Sequence, residues 1–118
     1  MDKKKCSISV IMAVYDNARE LEQYLPAFLT QEYETDYEVI VVDESSTDET
    51  DDVLKLQKQS YPHLYTTFLP KPNRNVTRRK LALTIGVKAA KYEWVVISDI
   101  HSAPPSTEWL KEVADATD

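Results

Sequence analysis

Glycine is almost missing from this 118-residue chain, which holds Gly86 and no other, where average usage of about 7% would supply roughly eight. A G-x-G-x-x-G dinucleotide loop and a G-x-x-x-x-G-K-[ST] phosphate loop each need at least two, so both are excluded. A phosphorylated ligand would have to be held without a glycine cradle. Cysteine is as scarce: Cys6 stands alone, which excludes a disulfide framework and makes a reducing compartment the default. No apolar run approaches the roughly 20 residues that cross a bilayer. The Lys3-Lys4-Lys5 start is not followed by the apolar core of a signal peptide. Positive charge is in deficit, with 14 Lys+Arg against 20 Asp+Glu and a net charge of -6, which argues against nucleic acid as the main partner. What is present, 42% hydrophobic and 29% charged residues, is the make-up of a folded globular domain. The length fits one domain.

Ile8 to Tyr15 is a β-branched, mostly apolar run, long enough for a buried strand. It stops at Asp16-Asn17, where Asn17 and Glu20 have the spacing of a capping arrangement that opens a helix. Leu21, Leu25, Phe28 and Leu29 then fall on one helical face, and Pro26 inside that pattern is expected to kink the helix or start its last part. Tyr37 to Asp43 reads as a second buried strand. Ser46 and Glu49 have capping-box spacing, and the polar helix after them offers Val53, Leu54 and Leu56 as an inner face. Leu64 to Leu69 is a weaker third strand, suited to an edge, and Pro70 to Asn73 a loop. A basic group, Arg74, Arg78, Arg79 and Lys80, leads into a helix with Leu81, Ile85 and Ala89 at four-residue spacing. Trp94 to Ser98 is a fourth strand ending in Asp99-Ile100-His101. After Pro104-Pro105, Ser106 caps a last helix through Trp109, Leu110 and Val113.

The order β-α-β-α-β-α-β-α, with near-continuous apolar strands, predicts an α/β fold: a parallel sheet in a Rossmann-like sandwich covered on both faces. Right-handed crossovers put every strand-to-helix loop at the carboxyl edge, where ligands of open α/β sheets bind. Tyr15-Asp16, Asp43 to Ser46 and Asp99 to His101 converge there. Asp16 and Asp48 have a sufficient role in complementing helix N-termini; Asp43 and Asp99 instead end strands. Asp99 and His101, two apart in an extended chain, would share a side and suit a divalent ion with mixed oxygen and nitrogen ligands, a diphosphate supplying the rest. The competing reading makes His101 a polar loop residue. The basic group can meet phosphate through guanidinium forks or simply form a solvated face. His63, beside Pro62, reads as a loop residue.

Three segments together resemble the GT-A fold glycosyltransferases of the large inverting family 2. S-V-I-M-A-V-Y-D-N (Ser9 to Asn17) is similar to the family's first strand and P-x-Y-N turn. V-I-V-V-D-E-S-S-T-D-E-T (Val39 to Thr50) resembles its V-V-D-D-x-S-x-D-x-T segment. K-L-A-L-T-I-G-V-K-A-A-K-Y-E-W-V-V-I-S-D-I-H (Lys80 to His101) resembles its helix, fourth strand and D-x-D motif. The resemblance implies the N-terminal, donor-binding half of a transferase that uses a nucleotide-diphospho-sugar, UDP being the expected base, with Mn2+ or Mg2+. Carried over by position, Ala13, Val14 and Tyr15 line the nucleobase, Asp43 hydrogen-bonds it, Asp99 contacts the ribose or the metal, and His101 ligates the metal. Arg78 or Lys80 lies near the base or diphosphate. Ala13, Asp16, Thr84 and His101 depart from the usual Pro, Asn, Asn and Asp; the last could change metal preference.

Residues 1–118 are thus expected to form a single nucleotide-sugar-binding domain, a fragment lacking the acceptor half and its catalytic base. The acceptor, a saccharide or lipid-linked glycan, is not identified. The expected location is cytoplasmic, or at the inner face of a membrane through flanking segments. Two alternatives stay open: a non-catalytic nucleotide-binding or assembly domain, and a receiver-type signalling module with Asp43 as phosphoacceptor. The latter would also need an acidic pair after the first strand and a lysine after the last; the first strand ends in Tyr15-Asp16 with no pair, and no lysine follows a fifth strand.

Overall fold

The computed structural model describes residues 6–69 and 78–116, with the side chain of Arg78 left out. The elements are β1 (Ile8–Val14), α1 (Ala18–Leu29), β2 (Tyr37–Asp43), α2 (Thr50–Ser60), β3 (Leu64–Phe68), α3 (Arg78–Ala89), β4 (Trp94–Ile97) and α4 (Trp109–Ala116). All strand pairs are parallel, in the order β3-β2-β1-β4. The expected alternation holds, and β3 lies on an edge as its weaker pattern suggested. The Pro70–Asn73 loop and Arg74 lie outside the described residues.

β1 explains the layering. Its side chains alternate between two cores, Ile8, Val10, Met12 and Val14 facing one and Ile11 and Ala13 the other. A strand buried on both faces has no reason to carry polar positions, and its one hydroxyl, Ser9, donates to Glu38 Oε2 at 2.6 Å. The first core is closed by Leu21, Leu25, Phe28 and Leu29 of α1, Val53 and Leu54 of α2, and Leu110 and Ala114 of α4. Trp109 meets Phe28 edge-on, with centroids 5.5 Å apart and planes at 89°. The second core lies under α3, where Ala82 is buried and Leu81, Ile85 and Ala89 are half-buried. Three helices thus cover one face and α3 the other.

Several local expectations are corrected. Leu56 is 66% exposed, because one turn on from Val53 and Leu54 the inward position is Gln57, whose Nε2 donates to Leu21 O at 2.8 Å. Pro26, expected to kink α1 or start its last part, lies inside one continuous helix. β4 is only half-covered, with Trp94 41% and Ile97 51% exposed, since its described strand partner is β1 alone. Ser106, expected to cap the last helix, instead closes the turn before α4, its Oγ accepting the Glu108 N–H at 3.1 Å. The start of α4 is also held from a distance. Gln31 Oε1 accepts the Leu110 N–H at 2.8 Å, and Gln31 Nε2 donates to Ala27 O and Ser106 O.

The lone glycine lies where α3 approaches the sheet most tightly. A Cβ on Gly86 would sit 2.4 Å from Ile11 Cγ2 and 3.4 Å from Val42 Cγ2. Ile11 is fully buried and β-branched, so it cannot swing aside. Alanine is worth about 1 kcal/mol more than glycine inside a helix, but overpacking costs about 1–3 kcal/mol. Gly86→Ala is therefore expected to destabilise the fold by up to about 2 kcal/mol, read as a lowered urea midpoint with unchanged slope. A raised midpoint would mean α3 can lift off the sheet freely.

Candidate functional site

The strand order reverses beside β1: β2 and β3 lie to one side of it and β4 to the other. The crevice outside the carboxyl ends at such a switch point is where open α/β sheets take ligands. Val14 pairs in register with Asp43, so the ends of β1 and β2 are level. β4 stops pairing at Ile97, opposite Ile11, and the Ser98 N–H still bonds Ile11 O at 2.9 Å. Asp99 therefore leaves the sheet beside the last residues of β1.

The expected site residues divide by exposure. Ala13 and Val14 are 3% and 0% exposed, sealed in opposite cores. Tyr15 is 40% exposed. Asp43 is 8% exposed, and its Oδ1 accepts both the Ser46 N–H at 2.9 Å and the Ser46 hydroxyl at 2.6 Å. Lys80 is exposed in the first turn of α3, while the Arg78 side chain lies outside the described residues. Asp99 and His101 are exposed on either side of buried Ile100. The chain is not extended there, as the two-residue argument assumed. It bends, with Asp99 Oδ1 accepting the His101 N–H at 3.0 Å, and this turn itself brings the two residues together.

Asp99 also edges a cleft of about 170 Å³ with Phe28, Ser98, Pro104 and Trp109 on its walls. Among the described residues no group of three or more His, Cys, Asp or Glu side chains could hold a metal. One carboxylate and one imidazole remain a fitting donor set for an ion that takes its other oxygens from a diphosphate.

Neither sequence-predicted capping box forms. Asn17 Oδ1 turns back to the Tyr15 N–H at 2.8 Å, and Asn17 Nδ2 donates to Glu20 Oε2 at 3.0 Å. Ser46 serves Asp43 and also accepts the Asp16 N–H at 2.8 Å. The helix N-termini are served across the loops. Asp48 Oδ2 accepts the Ala18 N–H at 3.3 Å, and Asp48 Oδ1 the Thr50 N–H and hydroxyl at 2.9 and 2.5 Å. Asp16 Oδ1 accepts the Thr47 N–H at 2.6 Å and the Asp48 N–H at 3.3 Å. Asp16 and Asp48 thus do structural work at helix ends, and the β1–α1 and β2–α2 loops form one unit. Sequence reasoning missed this reciprocity, and it missed the ion pair of Arg79 Nε with the buried Glu44 Oε2 at 3.1 Å. A carboxylate directly after a buried strand was the available signal for the second.

The acidity of Asp48 is shifted by its partners. The little burial it has disfavours its charge, but the hydrogen bonds from the Thr50 hydroxyl and amide, the Ala18 amide and its own amide outweigh that and lower its pKa.

The fold defines an α/β domain with a topological switch point at the carboxyl edge of β1. The sequence profile of Glycosyl transferase family 2 matches residues 9–118, and the chain belongs to that family. Among solved structures, the 1–349 segment of TarS from S. aureus is similar with a TM-score of 0.77 and 25% identity over 92% of this chain and 31% of that one. A mannosyltransferase from Pyrobaculum calidifontis, PcManGT, in complex with GDP-Man and Mn2+, gives a TM-score of 0.76 and 28% identity over 98% of this chain and 32% of that one. TarS 1–349 in complex with UDP-GlcNAc gives 0.74 and 24%, over 92% and 30%. The chain therefore spans about a third of the length of these structures. No curated protein matches it by sequence. No described helix is long and apolar enough to cross a membrane.

Because a lowered pKa stabilises the folded state above the ordinary carboxylate value of 3.8 and is lost as pH falls through the folded value, Asp48→Ala has a pH-dependent effect. At neutral pH the variant is expected to lose about 1 kcal/mol, the usual worth of a capping side chain. In urea melts below the ordinary carboxylate range the difference from the parent should shrink. A difference constant with pH would show that the Asp48 charge plays no part.

Proposed function

We propose that this domain binds the nucleotide-diphospho-sugar donor of a glycosyltransferase, which passes the sugar to an acceptor hydroxyl with inversion. The supporting observation is the convergence of Tyr15, Asp43, Asp99 and His101 on one switch-point crevice in a family 2 chain. Similar chains are seen with UDP-GlcNAc and with GDP-Man and Mn2+, which supports a nucleoside diphosphate as the ligand class.

Each residue then has a role by position. The exposed Tyr15 ring lies against the nucleobase. Asp43, held by Ser46 at Oδ1, turns its other oxygen to an N–H of the base. Asp99 takes the ribose or, with His101, a divalent ion. Lys80 and Arg78, in the first turn of α3, lie near the diphosphate at a helix end that favours anions. Mn2+ or Mg2+ when bound acts as a Lewis acid on the leaving diphosphate. In the transfer the acceptor oxygen bonds to the anomeric carbon, the bond to the diphosphate breaks, and a general base takes the acceptor proton; that base is assigned to no residue described here.

Asp43 also bears on which base is read. A carboxylate accepts and cannot donate. Uracil and guanine both offer an N–H at the centre of their pairing edge, whereas cytosine and adenine offer a lone pair there, which a carboxylate repels. The receiver alternative loses its footing on the same residue, since Asp43 is buried and already bound by Ser46.

Calorimetric titration of UDP, GDP and CDP, each with and without Mn2+, tests the reading. UDP or GDP is expected to bind saturably with Mn2+ and CDP far more weakly. His101→Ala should lose the Mn2+ dependence, and Asp43→Ala the preference over CDP. Absence of binding under every condition would sink the donor-site proposal.

A further inference from the structure

The opposite, amino-terminal edge of the sheet carries a second concavity that the donor site does not use. It is a groove of about 300 Å³ whose walls include Glu38, Lys58, His63, Tyr65, Lys91 and Tyr92. Its floor is fixed. His63 Nε2 lies 2.9 Å from Leu29 O, and the Tyr37 ring stands edge-on to His63 at 5.0 Å. Its walls are tied together as well. Glu38 Oε2 accepts the Ser9 hydroxyl and the Lys91 N–H, both at 2.6 Å, and Ser9 Oγ accepts the Tyr92 N–H at 3.2 Å.

Two cations face this groove in a chain of net charge -6. Lys58 Nζ is 5.7 Å from the Tyr65 ring centroid and Lys91 Nζ is 5.7 Å from that of Tyr92. Among the described residues the ion pairs join Lys55 to Asp51 and Arg79 to Glu44, and neither groove lysine takes part in one. Tyr65 is 45% exposed. Aromatic faces with polar rims, unpaired ammonium groups and one carboxylate already anchored at one oxygen make a specific combination of binding chemistries.

We propose that this groove binds an anionic saccharide: a single sugar ring bearing a phosphate or carboxylate. The C–H face of the sugar lies on Tyr65 or Tyr92, whose negatively polarised ring faces attract it. The ammonium groups of Lys58 and Lys91 take the anion through charge-assisted hydrogen bonds. The outer oxygen of Glu38 accepts a sugar hydroxyl. Two cations against one carboxylate select an anionic sugar over a neutral one. Ligand pockets range from about 300 to 1,000 Å³, so this groove is at the small end, with room for one ring rather than a nucleotide. It lies at the far edge of the sheet from the reacting sugar, and it stands or falls independently of the donor-site reading.

Amide NMR titration of the protein tests it with four probes: glucuronate, glucose phosphorylated on its primary hydroxyl, glucose, and inorganic phosphate. The expected result is saturable shifts at Lys58, Tyr65, Lys91 and Tyr92 with one or both anionic sugars, and much weaker response to glucose and to phosphate. The double variant Lys58→Ala, Lys91→Ala and the single variant Tyr65→Ala, all at exposed positions, should each weaken binding by about tenfold, the worth of one or two charge-assisted or stacking contacts. Thermal melts confirm that the variants fold. No response to either anionic sugar overturns the proposal. So does phosphate alone matching its sugar ester, binding unchanged in the variants, or shifts confined to Tyr15 and Asp43 at the other edge.

Discussion

The position of β1 governs everything at the carboxyl edge. It is hydrogen-bonded on both sides, to β2 and β4, and packed on both faces, with Ile11, Met12 and Val14 at zero exposure. Burial of each such side chain is worth about 1.5–3 kcal/mol. A slip of one residue would exchange the two faces. The α3 side, where Gly86 leaves no room beyond Ile11, would then receive Met12 in place of Ala13 or Ile11. The register is thus specified by shape as well as by hydrophobicity, and with it the point at which Tyr15 emerges next to Asp43.

From that point the loops carry a burden usually given to glycine. Asp16 and Ser45 both have positive φ, 51 and 66°, a conformation that costs a residue with a Cβ about 1–2 kcal/mol. Aspartate tolerates it better than most. Ser45 is compensated by donating to Leu69 O at 2.5 Å. The strained turns hold because Asp16, Ser46, Asp48 and Thr50 bond across from one loop to the other. A glycine there would relax the backbone and leave the loops free to move; the polar side chains fix Asp43 Oδ1 and the Tyr15 backbone in place.

The sheet, the element order and the buried face of α1 were legible because two-sided burial leaves a plain signal: β-branched runs without polar interruption, and apolar residues at i, i+4, i+7 and i+8. Convergence at the carboxyl edge followed from handedness alone. What failed was local. Ser46 and Glu49 had capping-box spacing, yet Ser46 answers to Asp43 and to the Asp16 amide, because long-range partners outcompete a box with a helix that starts only at Thr50. Leu56 looked like core by composition, but helical geometry gave its place to Gln57. The near-complete burial of Ala13 and Val14, at 3% and 0% exposure, was not visible in the motif they match. A motif records which residues occur together and not how deeply each is buried.

The near-absence of glycine also bears on how a diphosphate could be neutralised. Without a glycine loop, backbone N–H groups cannot wrap around phosphate, so charge has to come from side chains or an ion. Arg79 is placed to help, at the start of α3, but its guanidinium is engaged by Glu44, whose side chain is only 6% exposed. Withdrawing it would strip a buried carboxylate of a cationic partner, which is far costlier than losing a surface pair. Lys80, exposed in the same turn, is a point charge without the fork geometry of arginine. On the proposed donor reading, a divalent ion such as the Mn2+ seen with GDP-Man in PcManGT is a further source of positive charge.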